Sequence, residues 1–313
     1  MRAYPGANMM KVNMPNDFDH GHPRSSRGTC GCIPHLFAPA YDRLANRTYG
    51  LFKAANRALD YATNLAEPLG ARLVLLHVRR DSILDPEMFT SQLSNLSKEA
   101  ITLALNSVAS DLAVPVVAEV GHGMVASAAA DAASRNHPAI IVLGRADYSN
   151  LPDEVVQTTC LDLLRLAPYP LLVVPHSVAS NVLPRRVLIA VDGEPFKLSP
   201  TAEAAHHLLS AVKAELTVLH VEQESDPDAI PVPAGETVIQ AGLAQGLSAP
   251  VQYRSVVSQR LSEGILSEAE SGEYDLLVLI ARHRSFFGNL FHRSVTAQVL
   301  LHSTLPVLVL PAQ

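Results

Sequence analysis

Tryptophan is missing from this chain, and aromatic residues of all kinds make up only 5% of its 313 positions. Cysteine is nearly as scarce. Three residues, an odd number, cannot make a disulfide framework, and a reducing cytoplasm is the expected compartment. Positive charge is also short: 24 Lys and Arg stand against 30 Asp and Glu, a formal net charge of −6. That balance argues against a nucleic-acid partner, which needs clustered cations. No apolar run approaches the roughly 20 residues that cross a bilayer, so no membrane role is expected. The N-terminus lacks the apolar core of a secretory signal. Catalytic motifs are absent too. There is no P-loop pattern, no nucleophile–base–orienter set and no acid pair at a workable spacing, so the sequence does not argue for an enzyme.

What is present is a repeated pattern. The chain is 48% hydrophobic and 17% charged, enough to bury a large core across two domains. Residues 276–280 read as a buried strand, 282–289 as a basic loop containing glycine, 295–301 as an apolar helix and 304–311 as a second buried strand. The same series occurs earlier: strand 139–144, loop 145–154, helix 155–166 and strand 170–175.

The rest of each half follows suit. In the first, strands are expected at 33–40, 71–78 and 114–120, and helices at 53–69, 87–112 and 125–134. The helix at 53–69 carries one apolar stripe through Ala55, Leu59, Ala62, Ala66 and Leu69, and Gly70 stops it. In the second, strands are expected at 186–192, 215–221 and 251–257, and helices at 201–212, 236–247 and 259–271. Each half reads β-α-β-α-β-α-β-α-β. Strands that are continuously Val, Leu and Ile, alternating with helices, imply a parallel sheet covered on both faces. The domain division is residues 33–176 and 183–313. Residues 1–32 read as a disordered tail whose His20, His22, Cys30 and Cys32 lack the spacing of a structural zinc clamp.

Several stretches resemble the universal stress protein family. These are Val-Leu-Leu-His-Val at 74–78, Thr-Val-Leu-His-Val at 217–221, Val191-Asp192-Gly193, and the closing Pro-Val-Leu-Val-Leu-Pro at 306–311. The most specific is 284–295, with Gly288-Asn289-Leu290 and Ser294-Val295 where that family's loop has them. The resemblance runs from about Ile33 to Pro311 and is to a tandem member. It implies two Rossmann-like domains, of the adenine nucleotide alpha hydrolase type, each an open five-stranded parallel sheet. Single-domain members commonly dimerise through their last strand, which implies an internal pseudo-dimer of the two repeats; homodimerisation and an unidentified protein partner are further expectations.

ATP-binding members of that family carry a loop written G-x2-G-x9-G-[ST]. Here its glycine positions are Gly144, Asp147 and Gln157 in the first repeat, with Thr158 in the Ser/Thr place. In the second they are Ile280, His283 and Arg293, followed by Ser294 and Val295. One glycine of six survives. Forcing a non-glycine residue into a left-handed conformation costs ~1–2 kcal/mol, and its side chain would fill the phosphate's space. Asp42 and Asp192 stand where such members place an acid beside the nucleotide, and both also suit a turn or helix cap. The group Arg282, His283, Arg284, His292 and Arg293 suits either anion attraction or a solvated loop. His77 and His220 read as structural strand histidines, Cys160 as core, and His206-His207 as lacking metal spacing.

The expectation is a non-enzymatic stress-response protein acting through protein contacts or small-ligand sensing, with no cofactor beyond weak anion or ATP binding. A nucleotide-binding member with an altered pocket and slow hydrolysis is the alternative. A nucleotidyl-transferring enzyme on a related fold would need a phosphate-cradling motif after the first strand, and neither 42–44 nor 192–194 supplies one.

Overall fold

A strand that is buried on both faces needs no polar alternation, and the Val/Leu/Ile runs of this chain take that place in a sheet. The computed structural model describes residues 8–11, 35–39, 49–79, 98–137, 140–145, 159–166, 169–179, 182–222, 234–245, 247–282 and 294–312. In the first repeat these are β1 (Asn8–Lys11), β2 (His35–Pro39), α1 (Tyr49–Leu69), β3 (Arg72–Arg79), α2 (Lys98–Ser110), β4 (Val116–His122), α3 (Val125–Asn136), β5 (Ile140–Arg145), α4 (Thr159–Leu166) and β6 (Leu171–Pro175). In the second they are β7 (Arg186–Val191), a 3-10 turn at Pro200–Ala202, α5 (Glu203–Ala211), β8 (Glu215–Glu222), α6 (Ala234–Gln240), β9 (Gln252–Val257), α7 (Leu261–Ala269), β10 (Leu276–Arg282), α8 (Val295–His302) and β11 (Val307–Ala312).

All the strands join one sheet in the order β4-β3-β1-β2-β5-β6-β11-β10-β7-β8-β9. Neighbours within the second repeat are parallel throughout. The repeats meet where β6 pairs antiparallel with β11, Val173 opposite Val307 and Leu171 opposite Val309. The expected internal pairing of the final strands is therefore present, and it removes two apolar edges at once.

Period-two geometry sends alternate residues of β6 and β11 to opposite faces. Leu172, Val174, Leu308 and Leu310 join one buried cluster; Leu171, Val173, Val307 and Val309 join the other. Both clusters contain residues of both repeats, so the core does not stop at the seam. Across it α1 also packs against α5. The phenol of Tyr61 on α1 is pushed above its usual range by burial, and the charge of Asp275 in the second repeat adds to the effect.

Four differences from the sequence reading have physical causes. Within the segment expected to be a disordered tail, Asn8–Lys11 form β1, antiparallel to β3 with Met10 opposite Leu75; four residues are too few to show a period. The helix expected to run to residue 247 ends at Gln240, because Gly242 adopts φ 82° and reverses the chain. The helix expected from residue 201 opens with the 3-10 turn and becomes α-helical at Glu203. The strand expected to stop at Ile280 continues through Arg282, held by pairing of Ala281 with Pro311 and Arg282 with Ala312. Arg282 thus belongs to the sheet rather than to the basic loop.

Candidate functional site

In the second repeat the chain leaves β7 for β8 on one side, and later crosses from β9 to β10 on the other. Where strand order reverses in this way, a crevice opens beyond the carboxyl ends of the two strands. Parallel pairing of β7 with β10 sets Ala190 beside Leu279. Asp192 and Arg282, a few residues further along, therefore emerge side by side at that crevice.

Asp192 begins a tight turn. Its Oδ1 accepts from the Glu194 N–H at 3.1 Å, and Gly193 between them has φ 82°, a value glycine tolerates. The Arg282 guanidinium closes over this turn. It donates to Asp192 Oδ1 at 2.9 Å and to the Glu194 carbonyl at 2.8 Å, and it also pairs with the Glu194 carboxylate. The Arg282 side chain is only 12% exposed, whereas those of Asp192 and Glu194 are 58% and 63% exposed. The cation is the buried member, and its acids screen it from solvent. An arriving phosphate would have to displace two carboxylates to reach it.

Next to this turn, His220 on β8 shares its Nδ1 with the Val191 carbonyl at 3.2 Å. It ties two strand ends together, a structural role. Its counterpart His77 on β3 is driven down to about 4 by burial, with the charge of Arg79 adding to the effect, and stays neutral at neutral pH. Ser294 is the N-cap of α8, its Oγ accepting from the Ala297 N–H at 3.1 Å, and Val295 packs partly buried against the core.

In the first repeat Gly144, next to last in β5, lies against the backbone of α1, and the side chain of Arg145, the last residue of the strand, reaches the second repeat. Its Nη1 donates to the Leu300 carbonyl at 2.6 Å. Asp42, Thr158, His283 and Arg293, with Asp147, Gln157, Arg284 and His292, lie outside the described residues, as do the tail residues His20, His22, Cys30 and Cys32. Of the predicted positions the structure brings Asp192 to the crevice and puts Ser294 and Val295 at the start of α8. The sequence reading missed Glu194 and the pairing of Arg282 with Asp192. Their one sequence signal is that an acid pair follows one strand and an arginine ends another.

Among the described residues, no group of three or more His, Cys, Asp and Glu is placed to hold a metal ion, and no helix is long and apolar enough to cross a membrane.

The chain matches the model of the universal stress protein family twice, at residues 50–175 and 184–311. No curated protein sequence matches it. Among solved structures it is similar to a universal stress protein from Archaeoglobus fulgidus, at 16% identity and a TM-score of 0.60, over 82% of this chain and 93% of that one. It is also similar to a putative universal stress protein from Pseudomonas aeruginosa, at 17% identity and a TM-score of 0.51, over 76% and 92% of the two chains. At such identities the likeness concerns the fold. Two family matches lying on two α/β repeats, joined through their last strands, make this chain a tandem member of the universal stress protein family.

Proposed function

We propose that this stress-response protein works without catalysis, through protein contacts or the sensing of a small ligand, and that it does not hold ATP as nucleotide-binding members of its family do. The observation that carries this reading is the pairing of Arg282 with Asp192 and Glu194. At the strand-order reversal of the second repeat this guanidinium is already held by three acceptors of its own chain. Charge-assisted hydrogen bonds of this kind are worth roughly 1.5–3 kcal/mol each, so a phosphate gains little by breaking them. The missing loop glycines support the same conclusion, since a backbone without them cannot approach a phosphate closely. What remains is weak, salt-sensitive anion binding near the start of α8, where helix N–H groups carry partial positive charge. Among the described residues, no acid–base pair or activated nucleophile accompanies the turn, in keeping with a non-enzymatic role.

The test is calorimetric titration with ATP and magnesium at moderate salt. The expected result is no tight, magnesium-dependent binding. A dissociation constant in the low micromolar range, lost in Asp192→Ala or Ser294→Ala, overturns the reading in favour of a nucleotide sensor with an altered pocket.

A further inference from the structure

Helix α8 has an unusual end. The last carbonyls of a helix have no partner within it, and many helices meet the need with a left-handed residue, often glycine, just past the end. Several helices here do so: Gly70 follows α1 at φ 57°, His137 ends α3 at φ 47°, and Lys213 lies just past α5 at φ 54°. Beyond α8 the residue is Ser303, at φ −56° and ψ 134°, fully buried. Its N–H still reaches the Val299 carbonyl at 2.9 Å, and its Oγ is shared with Leu305, donating to the carbonyl at 3.0 Å and accepting from the N–H at 3.1 Å. The extended backbone at Ser303 cannot fold back to serve the remaining carbonyls.

Arg145 serves one of them, Leu300, together with the Ser303 carbonyl just beyond the helix. One guanidinium nitrogen donates to the Leu300 carbonyl at 2.6 Å and the other to the Ser303 carbonyl at 2.5 Å. The planar fork of arginine spans two acceptors at once, and its charge complements the partial negative charge at a helix C-terminus. The residue comes from the other repeat. It is the last of β5, next to Gly144, and is separated in sequence from its acceptors by 155 and 158 positions. The opposite end of α8 is the Ser294 cap, whose Oγ accepts from the Ala297 N–H at 3.1 Å.

We propose that Arg145 is a clamp through which the first repeat holds the C-terminal turn of α8 in the second. Arg145 is a positioning residue. The clamp does not depend on what the second repeat's candidate site binds, and it stands or falls separately from the proposed function.

Amide hydrogen exchange of the full chain tests it residue by residue. In Arg145→Ala, exchange at Leu301, His302 and Ser303 should accelerate at least tenfold, while the amides of β7 and β8 stay within twofold of wild type. Arg145→Lys, which can serve only one carbonyl, should show the same pattern at smaller amplitude. Wild-type exchange at the end of α8 in Arg145→Ala overturns the clamp. So does equal acceleration throughout the second repeat, which would make Arg145 an ordinary core contact. If Arg145→Ala does not fold, Arg145→Lys decides: selective acceleration at the end of α8 upholds the clamp, and wild-type exchange or failure to fold overturns it.

Discussion

Gly144 lies so close to the backbone of α1 that a β-carbon added there would come 2.2 Å from the carbonyl oxygen of Ala54. This residue is the one glycine of the family's loop pattern that the chain retains. Its neighbour is the protein's own helix, and packing alone therefore requires glycine at this position, with no phosphate involved.

Gly144→Ala should accordingly destabilise the protein by about 3 kcal/mol, near the upper end for overpacked sites, since the obstacle is backbone rather than a flexible side chain. Thermal unfolding should show a midpoint lower by roughly 5–10 °C. An unchanged midpoint would mean that α1 can move away freely.

His77 should make the protein sensitive to mild acid. Burial lowers its folded value from an ordinary 6.5 to about 4. As pH falls from 6.5 toward 4, the unfolded chain takes up the proton and the folded chain does not. Its contribution is whole above pH 6.5, declines through that window by about 3 kcal/mol and levels off below it. His77→Gln should flatten this part of the stability–pH curve measured by urea unfolding. A curve as steep as wild type would assign the acid loss to other groups.

Asp275 acts lower on the pH scale. Burial alone would raise its carboxyl, but the hydrogen bonds and charge of Arg186, with the Arg185 N–H, outweigh burial and hold it below the usual range. Arg186 donates from Nη2 at 2.6 Å and Nε at 3.2 Å, and its own N–H adds a bond at 2.9 Å. A carboxyl lowered by folding stabilises at neutral pH and loses that effect as acid protonates it. Asp275→Asn should destabilise the protein at neutral pH by no more than about 1 kcal/mol, because the Arg186 side chain is exposed and solvent screens the pair. The difference from wild type should start to shrink below about pH 4, where the unfolded chain takes up the proton first, and should disappear only once acid protonates the folded carboxyl as well. A cost that does not change with pH would point to geometry rather than charge.

The seam between β6 and β11 predicts the behaviour of half the chain. Residues 183–313 alone would expose β11, whose first four residues are buried in the whole protein. That fragment should self-associate, with sedimentation equilibrium giving a dimer. A fragment that stays folded and monomeric at every concentration would show that the edge needs no partner.

Most of the architecture is readable from sequence because the interior strands have one environment along their whole length. Leu276 to Leu279 and Val307 to Leu310 are buried without interruption, and such runs announce themselves. The outermost strands differ: Gln252–Val257 is mostly exposed, and its neighbours reveal it more than its composition does. The candidate site was only half readable. Asp192 can be found as an acid at a strand end. Its partner Arg282 lies 90 residues away, and no local spacing predicts which strand will lie alongside which. Arg145 is harder still, because the need it meets arises in another repeat, at a helix end that lacks glycine.

Apart from β1, the strands of the two repeats correspond: Arg145 stands opposite Pro175, and Ala281 stands opposite Pro311. One of these matching positions carries a guanidinium and the other a methyl group. Two separate copies of a single repeat would have to carry the same residue on both sides of their twofold axis. A covalently joined pair is free of that constraint and does not come apart on dilution, since each half is always within reach of the other. The tether thus allows a division of labour in which one half supplies a fixture and the other receives it, with no second copy of the arrangement to maintain.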